Sequence, residues 1–168
     1  HYSDCQGDWV SAWARSDGRV FLGSDQGVIA TREVTGAAGC ETADTDRPAS
    51  INGLVGFESG PSTTLFAVTS EGRIFRWIHP GTAEPTEISR VAANLRDVHG
   101  TSATNLLAVG AEQVGSVVEP RAFRSNPDGG TWLPEPLPTP LPTGVFLRGV
   151  HMVHRQLAYA AGDKGVLY

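Results

Sequence analysis

Long apolar runs are missing from this 168-residue chain. Nothing approaches the roughly 18 consecutive apolar residues that a membrane-crossing helix needs. No heptad or long amphipathic helical pattern occurs either, which excludes a coiled coil or helical bundle. Positive charge is scarce: 13 Lys and Arg face 18 Asp and Glu, for a net charge of −5 and a pI near 5.5. Phosphate backbones call for a basic face, so nucleic acid is excluded as a partner. No block of like charge marks a membrane-surface patch. Cysteine is limited to Cys5 and Cys40, without His or Cys at zinc-ligand spacing. That pair forms either a disulfide between neighbouring strand groups or two buried thiols. Nucleophile elbow, phosphate loop, metal-ligand run and Ser-His-Asp grouping are absent too, so no cofactor is expected. The chain opens on His1 with no leader-like stretch, which fits a processed, exported protein or a fragment.

What is abundant is turn chemistry and short apolar strands. Twenty Gly, 11 Pro and 40% apolar residues suit an all-β domain. The length allows one domain over 1–168, burying roughly 70% of the surface its unfolded chain would expose.

Four times a strand ending in small residues is followed by a turn and a Gly-led strand. The passages are Val20 to Ile29, Phe66 to Phe75, Leu107 to Gly115 and Tyr159 to Leu167. Their turn glycines, Gly27, Gly72, Gly115 and Gly165, recur at intervals of 45, 43 and 50 residues. A period of this size built from strands alone predicts propeller blades. Inner strands are expected at Trp9–Trp13, Ile51–Phe57, Leu95–His99 and Leu147–Val153. Third strands are expected at Val28–Arg32, Arg73–Ile78, Val117–Arg124 and Val166–Tyr168.

The blades then run over about 10–50, 51–94, 95–145, and 146–168 joined by 1–9. The last repeat stops at Tyr168 without an outer strand, and His1-Tyr2-Ser3-Asp4 reads as the missing piece. The expectation is a small β-propeller of about four blades, its ring closed by the N-terminal strand completing the last blade. A larger ring, or two chains completing one, is the rival arrangement.

Two segments break the compact pattern. Glu33 to Ser50 carries Glu41, Asp44 and Asp46 but lacks calcium-loop spacing, so a solvated loop is expected. Leu133 to Pro142 alternates proline with other residues, which rules out a central strand and predicts an extended polyproline stretch. Around Pro136, Leu137 and Pro138 it either docks a partner or serves as a stiff connector packed along a blade.

Ser125-Asn126-Pro127-Asp128-Gly129-Gly130-Thr131-Trp132 resembles the Asp-box of sialidase-like and sortilin-like propellers, with Asp128 and Trp132 one position closer together than in that pattern. Ser3 to Trp9 is a weaker echo. The phrases from Leu95 to Gly110 and from Leu147 to Gly165 resemble repeats of photosystem II assembly-factor propellers. The resemblance implies a propeller in which the Asp-box is a structural turn at the blade periphery. It implies little about activity, because function lives in sites rather than folds.

A sialidase-like hydrolase would need three arginines gripping a carboxylate, a Tyr nucleophile with a Glu partner, and an Asp acid. Arg96 and Arg148 stand at matching inner-strand positions, but no further part of that set is visible. His99 and His151 also match, as a candidate metal pair or as packing between blades. Strand alternation puts Arg96 and His99 on opposite sides of their sheet, which favours packing. A free amine and ring at His1 offer a remote copper chelate. Trp9, Trp13, Trp77 and Trp132 suggest sugar stacking, though their unlike blade positions point to core roles. The resulting expectation is a non-catalytic, exported interaction or assembly scaffold with a protein partner, at the cell surface, in the periplasm or outside the cell. A carbohydrate-binding propeller is the alternative, with a glycan as partner, and a sialidase-like hydrolase comes third.

Overall fold

The computed structural model describes residues 5–33, 39–128, 130–139 and 143–168. Within them the chain is all-β, laid out as four antiparallel sheets in sequence order. The first sheet comprises β1 (Trp9–Ala14), β2 (Val20–Ser24), β3 (Val28–Arg32) and β4 (Glu41–Asp44). The second comprises β5 (Ile51–Ser59), β6 (Ser62–Thr69), β7 (Arg73–His79) and β8 (Thr86–Arg90). The third comprises β9 (Asn94–Ser102), β10 (Asn105–Val114), β11 (Val117–Ser125) and β12 (Trp132–Glu135). In the fourth, β13 (Leu147–His154) pairs with β14 (Leu157–Gly162). After a short turn, Leu167 bridges Ala161, and Tyr168 exchanges both backbone bonds with Ala160 at 2.9 Å. The expected third strand there is thus a stub.

Each sheet is a meander because tight turns connect its neighbours. Gly72 shows the constraint: its φ is +75°, and a Cβ would lie 2.1 Å from the Val91 carbonyl. The sheets also share one irregularity. In each first strand one residue bulges out of register at the same step of the pairing, Val10, Asn52, Arg96 and Arg148, and β9 and β13 carry a second irregularity at Thr101 and Val153. A bulge bends its strand and re-aims side chains.

The four first strands pack in series, β1 on β5, β5 on β9 and β9 on β13. An apolar cluster fills each joint. Phe21, Ile29, Leu54, Leu65, Phe75 and Trp77 lie between the first and second sheets. Val55, Phe66, Ile74, Leu106, Phe123 and Trp132 lie between the second and third. Leu107, Val109, Ala122, Val150, Met152 and Ala160 lie between the third and fourth. Gly53 lets β5 and β9 approach closely, since a Cβ there would stand 2.8 Å from the Asp97 Cα. Arg15 stitches the first joint at its outer end. Its guanidinium donates to the Gly60 and Pro61 carbonyls and to Thr63 Oγ1, all on the second sheet.

Ring closure is not seen among the described residues, and two other expectations need correction. Among the described residues the series does not close, because β13 has no packing on β1 comparable to the three joints. The residues expected to supply the closing strand, 1–4, lie outside the described residues. Their neighbour Cys5 is held on the first sheet instead, by a disulfide to Cys40 just ahead of β4 and by Trp9 Nε1 donating to its carbonyl. The Glu33–Ser50 segment is no simple loop: it contains edge strand β4, with Ala43 turned inward. The proline run starts as edge strand β12, where Pro134 faces Phe123 across the ladder. Proline is tolerated at an edge because its missing N–H costs no inner bond.

The Cys5–Cys40 bridge closes a loop of 35 residues. Crosslinking a loop of that size constrains the unfolded chain by about 3–4 kcal/mol. Replacing both cysteines by serine is therefore expected to lower stability by about that amount, read in a urea titration as a lower midpoint with a slope that steepens as the unfolded chain opens.

Candidate functional site

The sequence-matched arginines and histidines converge where β9 meets β13, in two separate groups. Arg96 and Arg148, both bulge residues, place their guanidinium carbons 5.2 Å from the centre of the Phe146 ring. Cations over an aromatic face gain from its negative quadrupole. Arg148 is locked in a two-point grip on Asp163, at 2.8 and 3.2 Å. That bond lowers the Asp163 pKa, helped by the Phe146 amide, and raises that of Arg148. Arg96 has no carboxylate partner among the described residues, and its Nε is buried without a hydrogen bond. Burial, then the neighbouring Arg148 charge, lowers its pKa.

The second group is Asp97, His99 and His151. Asp97 Oδ2 accepts the Val150 amide at 2.8 Å, while its Oδ1 accepts the Val98 amide at 2.8 Å. His99 Nδ1 accepts the Met152 amide at 3.0 Å. The His99 and His151 rings lie 4.4 Å apart, centre to centre. Both acceptors lie on β9, whereas Val150 and Met152 belong to β13. Desolvation raises the Asp97 pKa against the pull of these two amides. Desolvation, then the nearby His151, lowers that of His99. A His99 that accepts through Nδ1 is neutral and carries its one ring proton on Nε2.

The other joints use the same device. Ser11 Oγ of β1 donates to the Ile51 carbonyl of β5 at 2.6 Å. Asn52 Nδ2 of β5 donates to the Leu95 carbonyl of β9 at 2.6 Å. Every first strand that follows another thus has one or two backbone groups of its outward edge met by side chains of its predecessor. Unmet backbone groups in such a joint would be costly.

The remaining candidates scatter. Leu137 packs against the cluster of the third joint, and Pro136, Leu137 and Pro138 line a crevice of about 190 Å³ with Leu107 and Tyr168. Pro140, Leu141, Pro142 and His1 lie outside the described residues. In the Asp-box-like turn, Asp128 Oδ1 accepts the amides of Gly130 at 2.9 Å and Thr131 at 3.2 Å, which lowers its pKa. Trp77 and Trp132 are buried in the core, out of reach of a sugar, and Trp13 packs beside Phe21. A wider cleft of about 780 Å³ opens where the second and third sheets part, lined by Arg90, Asn94, Glu112, Gln113 and Phe146.

Three residues escaped the sequence reading: Asp97, Phe146 and Asp163. Asp97 sits between the matched Arg96 and His99, but Gly149 holds its place in the next repeat, so no repetition flags it. Asp163 reads as an ordinary hairpin-turn residue; only the pairing of Leu147 with Gly162 reveals that it lies beside Arg148. No protein-family model matches the chain, and no curated protein matches it in sequence.

Two outcomes follow for the β9–β13 joint. Asp97→Ala strips the Val150 amide of its acceptor and is expected to cost about 1–3 kcal/mol in a denaturant titration. Because the folded His99 pKa lies below its usual value of 6.5, its contribution is complete above that pH and is lost as pH falls through the folded value. Asp97 acts in the opposite sense, its burial penalty being relieved toward its usual 3.8. The melting temperature should therefore fall between pH 7.5 and 5.5, and His99→Asn, which keeps an acceptor without a titrating ring, should flatten that fall.

Proposed function

We propose that the four sheets are blades of a β-propeller serving as a non-catalytic, exported interaction or assembly scaffold, whose partner is a protein. The observation that carries this reading is the use made of Asp97 and His99. Asp97 Oδ2 and His99 Nδ1 accept backbone amides of the next sheet, and Asp97 Oδ1 accepts one of its own strand, rather than facing an open site. Arg148 is likewise tied to Asp163. Chemistry-bearing side chains are here construction material, and the surface left for recognition is the rim around Arg96 and Arg148 with the cleft beside Phe146.

The disulfide supports the export part of the reading, since such bonds persist in oxidising compartments. That chemistry supports placement outside the cell, on its surface or in the periplasm. The shared bulge, the serial packing of first strands and the meander order support the propeller geometry.

Crosslinking with mass spectrometry in the source extract tests the proposal. Residues around Arg148 and the Phe146 cleft should crosslink to a defined protein, and Arg148→Glu should abolish those links while the melting curve keeps its cooperative shape. Turnover of a fluorogenic sialoside that disappears with Arg96→Ala would instead show an enzyme. Retention on a glycan array that is lost with Trp9→Ala would show a lectin.

A further inference from the structure

We infer that the far faces of the first and fourth sheets are the two halves of a head-to-tail joint between copies of this chain. The inference rests on packing and charge and does not depend on which partner the rim serves.

Register identifies the two faces. In the second sheet, Leu54, Leu65, Ala67 and Phe75 look back at the first sheet and are buried there. Their counterparts in the first sheet, by strand pairing, are Ala12, Val20, Leu22 and Ala30. No described sheet lies beyond that face; Ala12 is exposed, Val20 and Leu22 are half-buried, and Ala30 is buried. In the third sheet, Leu107, Val109 and Ala122 look forward and are buried against the fourth. Their counterparts in the fourth are Tyr159, Ala161 and Leu167. Tyr159 and Leu167 are 49% and 69% exposed. Positions that form core at the internal joints are thus bared in the fourth sheet and, at Ala12, Val20 and Leu22, only partly covered in the first. Neighbouring exposed apolar residues of this kind mark an association surface.

Two further observations choose a second copy as the occupant. The ends carry opposite charge: residues 5–46 hold seven carboxylates against three arginines, whereas residues 146–168 hold three Arg and Lys against one carboxylate. The edge device also continues in the right direction. His151 stands where His99 stands one sheet earlier, and Ala14 of β1 stands where Met152 stands in β13. The last sheet of one copy therefore keeps, in His151, one of the two acceptors that the third sheet presents to the fourth, while Gly149 replaces Asp97. Such a contact joins unlike patches, so it closes into a ring if the rotation permits and otherwise extends.

Light scattering and analytical ultracentrifugation of the oxidised protein over rising concentration at low ionic strength test the inference. The expected mass is two or more times 17.8 kDa, falling toward the monomer as salt screens the opposed charges. Ala12→Glu and Tyr159→Glu, both at exposed positions, should each give a monomer with an unchanged melting curve. Mixing these two variants should restore association, because an intact first-sheet face then meets an intact fourth-sheet face. A wild-type mass of 17.8 kDa at every concentration overturns the inference. So does an oligomer that neither substitution dissolves, or a mixture of variants that stays monomeric.

Discussion

The outward backbone edge of each sheet's first strand is the constraint on which the rest of this structure depends. A strand in that position pairs on one side only, and its other row of amides and carbonyls faces the neighbouring sheet. The chain answers with side chains sent across from the preceding strand: Ser11, Asn52, and then Asp97 with His99. The donors and acceptors alternate in chemical kind, yet the job is constant. Ser11 and Asn52 donate to carbonyls, and Asp97 and His99 accept amides. Apolar clusters supply the attraction between sheets, while these bonds fix how one sheet sits on the next.

That constraint also explains the unusual company of charged residues on β9 and β13. Asp97 is half-buried and desolvation raises its pKa, a perturbation often associated with catalysis. Here it accompanies two amide contacts, one to each strand at the joint. The arginines at the bulges, Arg96 and Arg148, are drawn instead to Phe146, and Arg148 to Asp163 as well, on the rim. Separation of the two groups arises from the bulge, which lets consecutive residues serve different sides of the strand.

Much of the scaffold was legible because strands with buried faces write themselves as apolar runs. All four first strands begin within a residue of their expected starts at Trp9, Ile51, Leu95 and Leu147. Edge strands left weaker traces. β4 reads Glu-Thr-Ala-Asp, with only Ala43 buried, and β12 is interrupted by Pro134, so neither carries a clear alternation. The candidate site was half legible. Repetition exposed Arg96 with Arg148 and His99 with His151, but Asp97 is matched by a glycine, and Phe146 and Asp163 become neighbours of the arginines only through pairing. Burial of Trp77 and Trp132 follows from sheet packing, which composition does not report.

Amide hydrogen exchange at Val150 and Met152 measures the central claim most directly, because both N–H groups lie on an edge that no strand covers. If β9 side chains hold that edge, these amides exchange only through opening of the whole fold, at rates matching the most protected amides of β6 and β10. Exchange of the two at the rate of an open strand edge would contradict the account.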